Sequence, residues 1–148
     1  MKPFEILDIS GDIGLRSFGK TVQEAFVNAA IGMYSLITDA GKIEGKKSID
    51  ISLENDSLDS LLVAWLNELV FHFDAYGFIG KKISITESDL EPGPPATLKS
   101  YRLNAVLSGE EFDPERHESR LLIKAATYHR LRIEKSNDLW KIDIIFDI

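Results

Sequence analysis

Two short stretches of this chain gather residues able to hold a cation or move a proton. Asp8-Ile9-Ser10-Gly11-Asp12-Ile13-Gly14 places two carboxylates, a hydroxyl and two glycines in an otherwise apolar, strand-like run. Glycines allow the backbone to turn sharply, and carboxylates seldom sit among apolar residues without a partner. Ile144-Ile145-Phe146-Asp147-Ile148 is the second stretch. It does not fray into a polar tail, so it is expected to dock, which fixes Asp147 and the α-carboxylate of Ile148 in place. If the N-terminal hairpin pairs beside this strand, Asp8, Asp12, Asp147 and that carboxylate converge. Clustered carboxylates repel unless neutralised, and all-oxygen ligands suit Ca²⁺, Mg²⁺ or Mn²⁺. Spacing alone leaves a second reading open, in which each acid is a solvated turn residue.

Lys124-Ala125-Ala126-Thr127-Tyr128-His129 is another compact polar set. Lys124 follows Leu121, Leu122 and Ile123. A lysine there either guards an edge strand or partners the acids. The three histidines are scattered. His72 lies in an apolar helix and reads as packed and hydrogen-bonded. His117 reads as a solvated loop residue, and His129 at a strand start fits either role. There is no glycine-rich phosphate loop, no H-E-x-x-H and no nucleophile elbow.

Composition narrows the classes. A length of 148 residues suits one domain with a real core. Acidic residues outnumber basic ones 24 to 17, a formal charge of −7. That balance opposes whole-surface binding to a phosphate backbone, so direct nucleic-acid binding is not expected, though a local basic patch or a basic protein partner is compatible with it. With no cysteine, disulfides, zinc-thiolate sites and cysteine nucleophiles are absent. Met1-Lys2-Pro3-Phe4-Glu5 lacks a signal-peptide core, and the most apolar run, Leu61 to Phe73, contains Asn67, Glu68 and His72. A cytoplasmic location is expected.

The elements that must position these residues follow from periodicity. Phe4 to Leu7 and Ile13 to Phe18 read as strands. Thr21 to Asp39 reads as a helix, with Thr21 and Glu24 at capping-box spacing and an apolar stripe from Val22 to Ile37. Gly41 is its expected stop. Ile49, Ile51 and Leu53 alternate with polar residues in a strand. Ser57 caps a second helix, Leu58 to Tyr76, whose main buried face is Leu58, Leu62, Trp65, Leu69, Phe73 and Tyr76. Ile83 and Ile85 mark a strand. Ser88 to Thr97, rich in proline, reads as a surface loop. Tyr101 to Leu107 alternates as a long strand, and a polar loop is expected from Ser108 through His117. Leu121 to Ala125 and His129 to Glu134 read as strands, Ser136-Asn137-Asp138 as a hairpin turn, and Trp140, Ile142, Ile144 and Phe146 as the inner face of the last strand. Two long helices and about seven strands indicate one α+β domain over residues 1–148, a mainly antiparallel sheet system packed with helices.

These motifs, taken together, resemble the archease family. Asp8-Ile9-Ser10-Gly11-Asp12-Ile13-Gly14 occupies its D-H-T-A-D-I-G motif, and Thr38-Asp39 its T-D pair. Leu61-Leu62-Val63-Ala64-Trp65-Leu66-Asn67-Glu68-Leu69 looks like L-L-x-x-W-L-N-E-L. Gly109-Glu110-Glu111-Phe112-Asp113-Pro114-Glu115-Arg116-His117-Glu118 matches the family loop, Lys124 to His129 its K-A-x-T-Y-H, and Phe146-Asp147-Ile148 its C-terminal end. The likeness spans almost the whole chain. Ile9 replaces the family histidine, Ser10 and Gly11 replace threonine and alanine, and the 88–97 loop is longer than usual.

The resemblance implies a non-catalytic protein cofactor of the GTP-dependent, RtcB-type RNA ligase that joins tRNA halves, promoting ligase guanylylation and repeated turnover, with tRNA involved only indirectly and no membrane. It implies a divalent-cation site, Ca²⁺ above Mg²⁺ or Mn²⁺, at Asp12, Asp147 and Ile148, and functional roles at Lys124, Asp8, Asp39 and His129. Two rivals stand beside it. One is a chaperone or adaptor, for instance of an RNA-modifying methyltransferase. The other is a metal-dependent hydrolase, against which Ile9 weighs, since no histidine base stands in the motif.

Overall fold

A computed structural model of the chain describes residues 2–91 and 100–148. Its elements run β1 (Phe4–Ile9), β2 (Asp12–Gly19), α1 (Val22–Ile37), a short 3₁₀ helix (Ala40–Lys42), β3 (Lys47–Asn55), α2 (Leu58–Tyr76), β4 (Phe78–Asp89), β5 (Tyr101–Glu111), β6 (Ala125–Ser136) and β7 (Leu139–Asp147). The described strands form two antiparallel sheets, ordered β1-β2-β7-β6 and β3-β5-β4. The α+β architecture expected from the sequence is therefore the observed one.

Local chemistry sets the helix limits. The Thr21 side chain accepts the Glu24 N–H at 3.1 Å, and the Ser57 side chain accepts the Ser60 N–H at 3.0 Å. Each satisfies one of the four amides a helix start leaves without a partner. The first helix is shorter than expected, ending at Thr38 and not at Gly41. Thr38 turns its hydroxyl to the Glu118 carbonyl at 2.6 Å, so a contact far away in sequence stops the helix.

The α1 stripe of Ala25, Phe26, Ala29, Ala30 and Met33 is fully buried. Trp65 of α2 is 0 % exposed, and its indole N–H donates to the Phe26 carbonyl of α1 at 3.0 Å. One apolar cluster takes residues from both helices and both sheets. Tyr76 is the exception on the expected α2 face. It is 63 % exposed and packs edge-on against Phe71.

Four further expectations need correction. Ser88 and Asp89 are the last residues of β4, and the rest of the expected proline loop falls largely outside the described residues. Ser108 to Glu111 extend β5, because Gly109 lies where a Cβ would strike the Ile79 carbonyl and Glu110 points inward. Leu121 to Lys124 form no strand: the Arg120 and Leu121 amides donate to the carbonyls of Ile37 and Leu36 at the end of α1. The strand expected over His129 to Glu134 is longer, β6 running Ala125–Ser136 with a bulge between Thr127 and Arg132.

Candidate functional site

The β1–β2 connection is a two-residue hairpin turn. Ile9 pairs with Asp12, while Ser10 and Gly11 between them have φ of 52° and 87°. A turn of this kind needs positive φ at both central residues, which glycine adopts freely. β2 then pairs with β7, Ile13 against Phe146 and Leu15 against Ile144. The next step of that register sets Asp12 across from Asp147. Residues that face each other in antiparallel strands lie about 5 Å apart at Cα. The N-terminal hairpin does lie beside the last strand, as the convergence of the acids required.

Strand parity decides which acids share a face. Leu15, Ile142, Ile144 and Phe146 point into the core. Asp12, Gly14 and Arg16 of β2 point away from it, as do Asp143, Ile145 and Asp147 of β7. On this outward face the pairing builds three cross-strand rows. Ile9, Asp12 and Asp147 form an acidic row. Leu7, Gly14, Ile145 and Thr127 form an apolar row. Glu5, Arg16, Asp143 and Arg132 form a charged row. Asp8 pairs with Ile13 and so belongs to the opposite face from Asp12. Gly14 is required here, since a Cβ would lie 2.2 Å from the Ile144 carbonyl oxygen and 2.6 Å from Ile145 Cδ1.

β6 completes the site. Between Thr127, opposite Ile145, and Arg132, opposite Asp143, the strand carries extra residues that arch out of the ladder. Bulges of this kind re-aim side chains. The Thr127 hydroxyl donates to the Ile145 carbonyl at 2.8 Å and accepts the His129 N–H at 3.3 Å. Arg130 takes φ of 55°. The arch brings His129 Nε2 to 3.7 Å from Asp12 Oδ2, although a whole strand separates β6 from β2. Both side chains are more than half exposed, so the pair is well solvated. Asn67 of α2 pins the start of β6, accepting the Ala126 N–H at 2.7 Å and donating to the Ala126 carbonyl at 3.2 Å. The Lys124 amide donates to the Asp147 carbonyl at 2.8 Å, and the Lys124 side chain is exposed.

The structure thus brings Asp12, Asp147, Lys124 and His129 to one end of one sheet, with Ile148, 48 % exposed, following directly. It does not bring Asp8 onto their face. Asp39 has a local task, accepting the Gly41 N–H at 3.1 Å to cap the 3₁₀ helix. Among the described residues no three Asp, Glu or His side chains are arranged to hold an ion by themselves. A cation here would need the Asp12 and Asp147 carboxylates plus a further oxygen, and the α-carboxylate of Ile148 has the right chemistry. The donor set fits a hard divalent ion in kind.

A second polar cluster escaped sequence reasoning. Glu110 is 2 % exposed and His117 3 % exposed, so His117 is a buried residue and not the solvated one expected. Arg116 clasps Glu110, the Glu44 N–H donates to Glu110 Oε2 at 2.6 Å, and His117 Nε2 faces the same oxygen at 3.3 Å. The Asp113 N–H donates to His117 Nδ1 at 2.8 Å, which leaves the ring hydrogen on Nε2, toward Glu110. The Arg116 hydrogen bond, supported by the Glu44 amide and His117, holds the Glu110 carboxyl down at about 2 against the opposing effect of burial. This clasp fixes the start of the 112–124 segment that leads to Lys124. The only sequence signal was an acid six residues before an Arg-His pair.

Comparison with known proteins decides the family. The Archease protein family (MTH1598/TM1083) matches residues 4–148. The chain belongs to the archease family. Archeases of Methanosarcina acetivorans and Pyrococcus furiosus are 37% and 36% identical to it. The first match covers 99% of this chain and 97% of that protein, the second 100% of both. The solution structure of Methanobacterium thermoautotrophicum protein 1598 superposes with a TM-score of 0.79 at 29% identity over 100% of both chains. A crystal structure of a Thermotoga maritima archease, described as a possible chaperone, gives 0.61 at 16% identity over 96% of this chain and 94% of that one, a likeness of fold. In archease terms, the D-H-T-A-D-I-G motif is the β1–β2 turn, and K-A-x-T-Y-H is the segment that enters the β6 arch. Ile9 stands opposite Asp12 in the β1–β2 pairing, and His129 reaches Asp12 from β6.

Proposed function

We propose that this archease-family chain is a non-catalytic activator of a GTP-dependent, RtcB-type tRNA-splicing RNA ligase, promoting guanylylation of the ligase and its repeated turnover. The observation that carries the reading is the exposed Asp12–Asp147 pair at one sheet end, flanked by Lys124 and His129, in a chain of this family. Asp12, Asp147 and the α-carboxylate of Ile148 would hold one divalent cation, Ca²⁺ first and Mg²⁺ or Mn²⁺ as alternatives. Such an ion supplies charge neutralisation and orientation beside phosphate groups. The chain's own contribution is presentation. The tight turn and the docked last strand keep the acids projecting, so they can enter a partner's nucleotide cleft. Lys124 offsets their charge or contacts the partner, and His129 orients Asp12. A net charge of −7 favours approach to a partner with a basic RNA site, through an attraction that weakens with salt. The work is cytoplasmic, and tRNA is involved indirectly, as the substrate of the ligase.

The test is multiple-turnover, GTP-dependent RNA ligation by the cognate ligase with and without this protein. Wild type should raise the number of turnovers. Asp12→Asn and an extension after Ile148 should lower calcium affinity by calorimetry and ligase activation together. Lys124→Ala should lower activation with the fold intact. Unchanged ligation in the presence of wild-type protein would overturn the reading. The description of the Thermotoga protein favours a second reading, a chaperone or adaptor. Under it, the protein would bind an RNA-modifying methyltransferase and leave ligation unaffected.

A further inference from the structure

The outward face of the β1-β2-β7-β6 sheet carries a groove of about 430 Å³ that the acid pair does not use. Leu7, Ile9, Leu131 and Ile145 line its apolar part, and Arg16, Arg130, Arg132 and the Asp143 carboxylate its charged side. A cleft of this size falls within the range that takes small ligands. Its three arginines stand out on a chain whose net charge is −7.

The arginines are not equivalent. Arg16 is committed, since its Nε and Nη2 donate to the two Asp143 oxygens at 2.7 and 2.9 Å, with Glu5 at 3.7 Å. Arg130 and Arg132 make no hydrogen bond or ion pair among the described residues, and both are exposed. Arg132 lies opposite Asp143, but Arg16 already occupies both oxygens of that carboxylate. Two guanidinium groups therefore face one cleft with their donors unused. Arg130 also sits at φ of 55°, a backbone region that costs a non-glycine residue free energy and is kept where the surrounding structure imposes it. Ile145 points to the outer face yet is only 4 % exposed, with its side chain folded over Gly14.

We propose that this groove binds the phosphate of a nucleotide, with Arg130 and Arg132 as its anion contacts and the Leu7–Ile9–Ile145 floor under the base. Guanidinium groups match phosphate oxygens through paired, charge-assisted hydrogen bonds and stack on planar bases. The order of the rows gives the ligand a direction. The row of Arg16 and Arg132 lies across the apolar row from Asp12 and Asp147, so repulsion from the acids drives a phosphate toward that side. An acidic peptide could satisfy the arginines but has no planar group for the floor, and its other carboxylates would meet Asp12 and Asp147. The phosphate can belong to a free nucleotide or to one residue of an RNA strand. The inference stands apart from the ligase reading, because it concerns the isolated chain and survives a negative ligation assay.

The experiment titrates the full-length protein at low salt, in turn with GMP, AMP, guanosine, inorganic phosphate, a short single-stranded RNA and a glutamate-rich peptide. Binding is followed by calorimetry and by the NMR signals of Leu7, Ile9 and Ile145. GMP or the RNA should saturate those signals, and guanosine should not. GMP binding would point to a free nucleotide, and binding of the RNA alone to a strand. The Arg130→Ala, Arg132→Ala double variant should weaken binding by about tenfold or more, the scale of one or two charge-assisted contacts. Arg132→Lys should restore part of that loss, and Asp12→Asn should leave binding equal or tighter. Both arginines are exposed, and unchanged circular dichroism confirms the fold of the double variant. The proposal is overturned if no phosphate-bearing probe shifts those signals, if the double variant binds as wild type does, or if the peptide alone saturates the groove.

Discussion

Glu110 shows how much a single buried carboxylate depends on its partners. It is nearly inaccessible, and its charge is held by Arg116, the Glu44 amide and His117. Its carboxyl titrates near 2 in the folded chain against an ordinary 4.5. A carboxylate whose folded value is depressed adds stability that is fully present above its unfolded value. That stability is lost as pH falls from 4.5 toward 2. Glu110→Gln should therefore flatten the pH dependence of the urea midpoint across that window, and should leave the variant less stable than wild type at neutral pH, where Arg116 loses its partner. An identical pH slope in the two proteins would show that the clasp contributes nothing. At the same scale, Gly14 marks where the outward face must stay flat for Ile145 to lie across it.

At the level of elements, α2 is the hub. Trp65 is buried with its N–H on α1, while Asn67 two residues later holds β6 by both polar atoms of its amide. The helix therefore ties α1 to the strand that carries His129. Trp65→Ala removes a large side chain from a closed core together with the indole hydrogen bond to the Phe26 carbonyl. It should cost roughly 3–5 kcal/mol by chemical denaturation. A loss under about 1 kcal/mol, the scale of surface changes, would mean that the indole does not anchor the two helices. The β6–β7 connection is built differently. Asn137 and Asp138 both take positive φ, 53° and 61°, as a two-residue turn requires. The arch earlier in β6 has no such local signal. It depends on the Thr127 hydroxyl bridging a β7 carbonyl and the His129 amide.

For the whole molecule, the two sheets share no strand, yet one apolar cluster draws on both. α1 packs mainly on β2 and also on β4, and α2 reaches β6, β3, β4 and β5. Neither sheet can shed its helices without exposing the core of the other, so the chain should unfold in one cooperative step. Trp65 sits in the helix layer and Trp140 in β7, which gives a direct check. A Trp140→Phe variant, read by Trp65 fluorescence, and wild type, read by far-ultraviolet circular dichroism, should each give a single transition, and two probes of one protein should coincide. Two separated transitions would show that the sheets are independent units. No helix among the described residues is long and apolar enough to cross a membrane.

Much of this was legible along the chain. Both helices, both N-caps, the Ser136–Asp138 turn and the inner face of β7 follow from periodicity and from side chains that bond within a turn of themselves. Asp12 and Asp147 stood out because carboxylates interrupt apolar runs there. Periodicity records that a face is covered, not what covers it. Leu121 to Lys124 therefore looked like a strand although it lies on the end of α1, Tyr76 looked buried, and His117 looked solvated. The site divides in the same way. Residue types in sequence supplied the acids. Only register separated Asp8 from Asp12 by face, and only the β6 arch, held by contacts across β7, carried His129 to Asp12 and set Arg130 and Arg132 over a common groove. Those placements depend on hydrogen bonds between residues far apart in the chain, for which no local pattern exists.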